Sequence, residues 1–350
     1  MADKISLDLV GELRKNFELQ EKLCDGLIHE LRKNYMQYNN RDIKNCKAFL
    51  DEISNDGFTE RYRKLVRGLD ADSTECVCLI LNRIEWLVKH NKNPDKHTRG
   101  LADIFTPKEI AELEKMRREF HGEIVELDGG CFAYRQYIFP TREFPASSVY
   151  YRHHLCTLRH PERIKGKDII DAGAYIGDSV LVFSELTDGN IYAFEPVDKN
   201  YELLLKTIEL NGTPNVTPVK VALGSKDEEL PMKLQGGAST FTTKTTFYVE
   251  GAATENIKVT TLDGYLRDRN PDIGLIKVDV EGFEQEFLKG AAETIKKHRP
   301  TLLISIYHNG PDFFDIKPMI EEWDLGYTFR IVHPVDGGIY NETMLFCEQP

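Results

Sequence analysis

The first third of the chain repeats its apolar residues at the three- and four-residue steps of an α-helix. From Val10 to Leu31 this spacing predicts one long amphipathic helix, which we expect to pack against its neighbours in the same chain. The same segment also fits the seam of a coiled coil, so a homodimer through the N-terminal helices is an alternative. Four further helices are predicted, at about 41–54, 59–69, 73–90 and 107–119. We therefore expect residues 1–120 to form a helical N-terminal domain.

The hydrophobic period changes near residue 121. The segment EIVELDGGCFAYRQYIF alternates apolar and polar positions about Asp128-Gly129-Gly130, which is typical of a β-hairpin. A connector that contains prolines follows this segment. We assign residues 121–166 to a β-hairpin and connector.

From residue 167 to residue 350, predicted strands alternate with predicted helices. The strands are DIIDAG, IYAFEP, VTPVKVAL, IGLIKVDV and TLLISIY, and the helices are SVLVFSEL, NYELLLKTIELNG and FEQEFLKGAAETIKKH. Near the end of the chain, YTFRIVH and TMLFCEQ are expected to form an antiparallel pair. This alternation predicts an α/β domain with a mostly parallel sheet and helices on both of its faces.

The acidic excess of the chain lies entirely in this second part. Of the 57 acidic and 45 basic side chains, residues 1–120 hold 22 of each, so the formal charge of −12 belongs to the remainder. Such a surface repels phosphate backbones, and we expect no nucleic acid partner. No uncharged run approaches the roughly 18 residues of a membrane-spanning helix, and the first residues lack the apolar core of a signal peptide. We expect a soluble, cytoplasmic protein.

A glycine-containing loop follows the first strand of the α/β domain. Its sequence is Asp171-Ala-Gly173-Ala-Tyr175-Ile-Gly177. Glycines at a strand exit let a ligand approach the backbone closely, and the start of the next helix offers unpaired N–H groups. The spacing alone is a weak signal, and the dinucleotide pattern G-x-G-x-x-G is absent because position 175 is tyrosine.

Polar residues end three other strands of the predicted sheet. Glu195, 24 residues after Asp171, can accept hydrogen bonds from both hydroxyls of a ribose, although a plain strand-end carboxylate is the alternative. Asp279 and Glu281 share one side of their chain segment, because strand side chains repeat their direction every two residues. His308 ends the strand TLLISIY, and its alternative interpretation is an exposed loop histidine.

Taken in order, these segments resemble a known family. DAGAYIGDS, YAFEPVDKNYELLLKTIELNG, VALGS, VTTLDGYL, IGLIKVDVEGFEQEFLKGA and RPTLLISIYH are similar to successive blocks of the FkbM-type S-adenosylmethionine-dependent methyltransferases. The resemblance covers roughly residues 167–348, and KVDVEGFE is its most specific block. It implies a class I (Rossmann-like) methyltransferase sheet of seven strands. It also implies that S-adenosylmethionine is the cofactor and that the methyl acceptor is a hydroxyl oxygen of a small molecule, sugar or glycan.

The resemblance also implies which residues form the site. The cofactor-binding residues would be Asp171, Gly173, Ala174, Tyr175, Gly177, Asp178, Ser179, Glu195, Pro196, Ala222, Leu223 and Asp279. Asp279 and Glu281 would lie at the methyl-transfer face. The sequence departs from the commoner family form at Tyr175, often asparagine, and in SIYH, where many members carry a carboxylate before the histidine. These departures leave the acceptor less defined than the cofactor.

Transfer to a hydroxyl requires a group that takes up its proton. His308 titrates nearest neutrality and is the first candidate for this base, with Asp279 as the second. Asp279 and Glu281 are expected mainly to position the substrate or the cofactor. Two carboxylates can also bind a divalent cation, but with only two candidate ligands we predict no metal. His308, Asp279 and Glu281 are thus the predicted catalytic residues.

The sequence leaves four other interpretations. The loop 236–241 could close over a substrate or be an ordinary surface loop, and the adjacent histidines His153 and His154 are expected to be structural or solvated. An NAD-dependent sugar oxidoreductase or epimerase is disfavoured by the missing glycine pattern. A non-catalytic interaction module is disfavoured by the intact Asp171, Gly173 and Glu195.

Overall fold

The computed structural model describes residues 40–53, 57–90, 104–234, 239–241 and 253–350. The helix predicted between Val10 and Leu31 lies outside the described residues, as do positions 236–238 of the predicted loop. The described residues divide into two compact units. One extends to Arg117 and includes Val335–Asn341, and the other comprises Arg118–Pro334 and Glu342–Pro350. The predicted boundary at residue 120 stays a prediction.

The first unit consists of helices in its described part. Helices α1 to α4 span Asn40–Ile53, Phe58–Val66, Ala71–His90 and Pro107–Gly122. Val77, Ile80, Ile84 and Leu87 of α3 follow each other at three- and four-residue steps and are all fully buried. These four residues form the core-facing side of α3, as the amphipathic pattern predicts.

The segment Val335–Asn341, from near the end of the chain, belongs to this helical unit. Its Tyr340 ring lies 4.7 Å from the Phe49 ring of α1, and both side chains are buried. The helical unit is therefore completed by residues that are remote from it in sequence.

The second unit begins with a small antiparallel sheet. Its strands β1, β2 and β3 span Ile124–Leu127, Cys131–Tyr134 and Tyr137–Phe139. Gly129 and Gly130 form the turn between β1 and β2 at φ values of +86° and +75°, a region that glycine adopts without steric penalty. The first two strands lie where the alternating pattern predicts a hairpin.

The remainder of the second unit is an α/β domain. The strands β4 to β13 span Asp168–Ala172, Ile191–Phe194, Val216–Val219, Ala222–Leu223, Glu228–Lys233, Thr254–Thr260, Ile273–Val278, Thr301–Ser305, Thr328–Val332 and Met344–Glu348. The helices α5 to α11 span Ala146–Val149, Asp178–Phe183, Asp198–Asn211, Leu262–Leu266, Glu284–Gly290, Ala292–His298 and Gly310–Glu321.

Seven of these strands form the main sheet in the order β12-β13-β11-β10-β4-β5-β6. The strands from β11 to β6 are parallel, and β13 is antiparallel to both of its neighbours. Every residue of β10, β11 and β13 is buried, as expected for strands covered on both faces. The predicted seven-stranded, mostly parallel sheet is confirmed, including the antiparallel pair at the end of the chain.

The order of the sheet determines where a ligand can bind. After β4 the chain adds strands on one side, and β10 and β11 are added on the other side, so the order reverses between β4 and β10. In open α/β sheets, ligands bind at the carboxyl ends of the strands beside such a reversal. The ends of β4, β5 and β10 are therefore the expected location of a site.

Two predicted elements are each divided in the structure. VTPVKVAL forms β6 and then β7, and β7 belongs to a separate sheet of order β7-β9-β8. FEQEFLKGAAETIKKH forms α9 and α10, which are separated at Ala291. A side chain at Gly290 would overlap the backbone oxygen of Gly224, so the end of α9 packs directly against this backbone. No helix in the described part of the chain has the length and apolar character needed to cross a lipid bilayer.

Candidate active site

A cavity of about 460 Å³ lies at the carboxyl ends of β4, β5 and β10. This volume is in the range of small-molecule sites. Its wall includes Gly173 after β4, Glu195 after β5, and Asp279 and Glu281 after β10. The cavity therefore brings together three of the four strand ends that the sequence singles out.

The loop after β4 packs closely on the end of β10. Gly173 has a φ of +81°, and a Cβ atom at this position would overlap the backbone oxygen of Asp279. The Asp279 N–H donates to Ala172 O at 3.0 Å. Gly173 is therefore required both by its left-handed backbone conformation and by the close approach of two chain segments.

A buried ion pair lies beneath this loop. Nζ of Lys277 lies 3.1 Å from Oδ1 of Asp171 and donates to Gly173 O at 2.7 Å. Burial raises the pKa of Asp171 to about 6, although Lys277 opposes this shift. Asp171 is fully buried and is absent from the cavity wall. Its contacts hold the loop, whereas the sequence predicts direct contact with the cofactor.

The remaining loop residues divide into two groups. Tyr175, Asp178 and Ser179 line the cavity, whereas Ala174 and Gly177 do not. Gly177 precedes α6 at a φ of +86°, and a Cβ atom there would lie 2.8 Å from Leu204 Cδ1. Ala174 and Gly177 are thus positioned to shape the loop rather than to contact a ligand.

Glu195 is held in place by the protein itself. Its Oε1 accepts hydrogen bonds from Val197 N at 2.9 Å and Asn200 Nδ2 at 3.2 Å, and its Oε2 accepts one from Tyr175 N at 3.1 Å. Burial raises the pKa of Glu195 to about 7, although these donors oppose the shift. A carboxylate has about four acceptor positions, so few remain for a ligand.

The apolar part of the cavity wall includes the other predicted cofactor-binding positions. Pro196, Ala222 and Leu223 all line the cavity. Ala222 and Leu223 form β7, which pairs in parallel with β9 in the smaller sheet. This sheet, which the sequence pattern did not predict, supplies one wall of the site.

His308 lies at the centre of a group of carboxylates. Its Nε2 lies 3.4 Å from Asp279 Oδ1 and 3.3 Å from Glu281 Oε2, and its Nδ1 lies 3.0 Å from Glu284 Oε1. Burial lowers the pKa of His308, but Glu284 and Glu281 reverse this effect and raise the pKa well above its usual range.

This environment does not suit the predicted role of His308 as a general base. The side chain is fully buried and is absent from the cavity wall. An imidazole with a raised pKa is already protonated at neutral pH and has no lone pair for another proton. Asp279 and Glu281 do line the cavity, so a ligand meets these carboxylates first.

Sequence reasoning missed Glu284 as a member of the site. Its Oε1 accepts from Val280 N at 2.9 Å, and its Oε2 accepts from Gly282 N at 3.0 Å. The same carboxylate faces His308 Nδ1, so it joins the turn after β10 to the histidine after β11. The sequence signal for Glu284 was its place in the block KVDVEGFE. Its contact with His308, however, depends on the pairing of β10 and β11.

Two further residues line the cavity although neither is among the predicted catalytic or cofactor-binding residues. His153 is buried, and its Nε2 lies 2.9 Å from the Ser179 hydroxyl. Phe241, in the described part of the predicted loop, lines the cavity, and the neighbouring Thr240 donates to Glu281 O at 2.6 Å. This loop segment is therefore anchored to the turn that carries Glu281.

Comparison with known proteins agrees with this arrangement. Residues 171–329 match the methyltransferase FkbM domain. The chain is 28% identical to the hexuronic acid methyltransferase AglP of Haloferax volcanii, over 46% of this chain and 64% of that protein. It is 31% identical to the methyltransferase sdnD of Sordaria araneosa, over 36% of this chain and 60% of that protein.

A solved structure supports the fold. The crystal structure of the methyltransferase FkbM from Methylobacillus flagellatus is similar with a TM-score of 0.52 at 21% identity, over 86% of this chain and 62% of that chain. The chain spans less than two thirds of the length of each of these three relatives. The similarity to the methyltransferase FkbM domain thus spans residues 171–329, which include the glycine loop, Glu195, Asp279 and His308.

Proposed function

We propose that this protein transfers a methyl group from S-adenosylmethionine to a hydroxyl oxygen of an uncharged small molecule or carbohydrate. The observation that carries the proposal is the meeting of the glycine loop, Glu195 and the Asp279–Glu281 pair around one cavity, within a domain of the FkbM family. The relatives named as methyltransferases support the reaction class.

The polar groups of the cavity fit the polar parts of this cofactor. Asp178 lines the cavity, and its buried Oδ1 accepts no hydrogen bond from the described residues. An unsatisfied buried carboxylate oxygen is suited to an ammonium group, such as that of a methionine moiety. Glu195 offers its remaining acceptor position to a ribose hydroxyl.

The apolar groups fit an adenine ring. Val197, Ala222 and Leu223 are buried apolar residues of the cavity wall, and Pro196 lines the same cavity. A flat heterocycle can bury its faces against such side chains. The acidic wall also suits a cationic ligand, and the bound cofactor supplies a sulfonium-activated methyl group.

The carboxylate pair after β10 would hold the acceptor hydroxyl and take up its proton. Asp279 Oδ1 and Glu281 Oε2 face His308, which leaves Oδ2 and Oε1 for a ligand. Burial raises the pKa of Glu281, with His308 opposing the shift, and a carboxylate with a raised pKa is a stronger base than usual. His308 would orient the pair, and most of the acceleration would come from alignment of the reactants.

The charges of the cavity favour an uncharged acceptor. Its wall includes the carboxylates of Glu143, Asp178, Glu195, Asp279, Glu281 and Glu342. Among these described wall residues, Lys277 supplies the only amine or guanidinium group, and it is paired with Asp171. A carboxylate-bearing acceptor, such as a hexuronic acid, would meet repulsion here. A neutral sugar or polyol hydroxyl fits better, and the same repulsion disfavours nucleic acid.

Calorimetry and a transfer assay test the proposal. We expect S-adenosylmethionine and S-adenosylhomocysteine to bind to the purified chain and NAD to give no heat. With methyl-labelled S-adenosylmethionine, neutral glycosides should accept label in preference to the matching uronic acids. Absence of heat with both sulfur-containing ligands would rule out the proposed activity, whereas preferential labelling of the uronic acids would overturn only the acceptor class.

A further inference from the structure

Glu284 orients the imidazole of His308 through Nδ1. Glu284 uses both of its oxygens to accept the N–H groups of Val280 and Gly282, and its Oε1 also lies 3.0 Å from His308 Nδ1. This carboxylate therefore fixes the ring through Nδ1. The other nitrogen, Nε2, is consequently directed at Asp279 and Glu281.

A carboxylate on one imidazole nitrogen is the usual arrangement when the other nitrogen binds a metal. In such sites the outer carboxylate fixes the ring orientation and makes the ligating nitrogen more basic. Glu284 and His308 have this arrangement, and both side chains are fully buried. The pair is therefore organised as a metal ligand with its supporting carboxylate.

The two distances from Nε2 also fit a cation bound between this nitrogen and each of the two carboxylates. The separations of 3.4 Å to Asp279 Oδ1 and 3.3 Å to Glu281 Oε2 are long for charge-assisted hydrogen bonds, which are typically about 2.7–2.9 Å. Consider two ligand atoms that each lie about 2.1 Å from one cation. If the ligand–cation–ligand angle is between the octahedral and tetrahedral values, the two atoms are about 3.0–3.4 Å apart. Both observed separations fall in or at the edge of that interval.

The oxygens that face Nε2 are incompletely satisfied. Asp279 Oδ1 and Glu281 Oε2 are buried atoms, and neither accepts a hydrogen bond of good geometry from the described residues. Asp279, Glu284 and His308 each offer a ligand atom within 4.8 Å of the other two. Three carboxylates around a single imidazole leave an excess of negative charge in a buried place, which a cation offsets.

We propose that Asp279, Glu281 and Nε2 of His308 bind a divalent cation of the Mg²⁺ and Mn²⁺ class at the wall of the cavity, with Glu284 orienting the imidazole and the cation displacing the Nε2 proton to solvent. The donor set of two carboxylates and one imidazole suits such an ion. Ion binding follows from this cluster alone. Its use in catalysis rests on the proposed function, where the cation would lower the pKa of a hydroxyl that approaches the carboxylate pair.

Titration of the purified chain with Mn²⁺, followed by electron paramagnetic resonance without cofactor, tests the site. We expect one Mn²⁺ to bind per chain and Mg²⁺ to displace it. Asp279→Asn should abolish binding, and Glu284→Gln should weaken it by about 10- to 100-fold. Glu143→Gln, which removes a carboxylate from the same cavity wall but not from the cluster, should bind as the wild type does.

Absence of bound Mn²⁺ in the wild type at millimolar concentrations would overturn the proposal, as would equal binding by the wild type and Asp279→Asn. Circular dichroism of each variant separates loss of the ion from loss of the fold. If the chain binds S-adenosylmethionine but does not bind Mn²⁺, only this inference is refuted. If the chain binds Mn²⁺ but binds neither S-adenosylmethionine nor S-adenosylhomocysteine, only the proposed function is refuted.

Discussion

The backbone N–H of Tyr175 donates a hydrogen bond to Oε2 of Glu195 at 3.1 Å. This bond joins the loop after β4 to the end of β5, and it accompanies a left-handed conformation at Tyr175, whose φ is +47°. Such a conformation is uncommon for a residue with a side chain. The loop and the carboxylate are therefore one unit, and a change in either is expected to alter the cofactor pocket.

Replacement of Glu195 by glutamine should weaken binding of S-adenosylmethionine. The amide has one fewer acceptor oxygen, and its NH₂ group must face one of the N–H donors that now bond to the carboxylate. We expect a loss of about 1–3 kcal/mol, or roughly 5- to 150-fold in Kd, measured by calorimetry. Glu126→Gln, an exposed change on β1, is the control. Unchanged affinity in Glu195→Gln would mean that the ribose lies elsewhere.

Cofactor affinity should also depend on pH through Glu195. Its pKa is raised to about 7, and a protonated carboxyl is a poorer acceptor for a ribose hydroxyl than a carboxylate. Affinity should therefore rise as the pH increases through about 7 and then level off. Calorimetry across this range should show the change in the wild type and a flatter profile in Glu195→Gln. A wild-type profile as flat as that of the variant would contradict this assignment.

The same carboxyl should make the folded protein less stable as the pH rises. Its pKa is higher in the folded chain than the usual value of 4.5, so the folded state binds the proton more tightly. The contribution of Glu195 to the free energy of unfolding is complete below the pKa of this carboxyl in the unfolded chain. It disappears as the pH approaches about 7, and the total change is on the order of 3 kcal/mol. Denaturant unfolding should show a smaller decline in Glu195→Gln. An identical decline in both proteins would mean that other groups determine it.

Substitution of Gly173 by alanine should destabilise the fold far more than the same change at Gly130. Both glycines have positive φ, at +81° and +75°, but only the Gly173 Cβ would overlap another backbone, that of Asp279. We expect roughly 1–2 kcal/mol from the left-handed conformation at both positions and on the order of 3 kcal/mol more from overlap at Gly173. Chemical denaturation measures both. Equal losses would show that the loop moves away from β10 without penalty.

Glutamine in place of Glu281 should lower kcat by about 10²- to 10⁴-fold, because the amide cannot take up the hydroxyl proton. The affinity for S-adenosylmethionine should stay close to that of the wild type, since Glu281 is assigned to the acceptor. Glu126→Gln again serves as the control for activity. A kcat close to the wild-type value would remove Glu281 from the proposed reaction.

The sequence predicts the main sheet well because its strands are buried and almost continuously apolar. The sequence pattern does not predict the helix α11, because prolines are unfavourable in the interior of a helix and Pro311 and Pro318 interrupt its pattern. Pro311 lies in the first turn, and the Asn309 side chain caps the helix by accepting from Asp312 N. It also fails at β8, whose residues EELPMK include a proline and three charged side chains. Neither segment has the pattern of a regular element in the linear sequence. Each forms its element only through contacts with other segments of the folded chain.

Most members of the candidate site were predictable, but Glu284 and the environments of the side chains were not. The strand-end positions of Glu195, Asp279 and His308 follow from the alternation of strands and helices. The raised pKa of His308 depends on Glu284, 24 residues earlier in sequence, which reaches the histidine only because β10 and β11 pair. Burial and charge at such a group depend on tertiary contacts, which a linear pattern does not contain.

The contact between Phe49 and Tyr340 has a consequence for the order in which parts of the chain can fold. The helix that includes Phe49 is synthesised before the α/β domain, but the segment Val335–Asn341 that completes its unit follows β12. A fragment cut at residue 120 would lack this segment and leave the Phe49 ring without its aromatic partner. The helical unit can thus reach its final packing only after the strands β1 to β12 of the second unit have been translated.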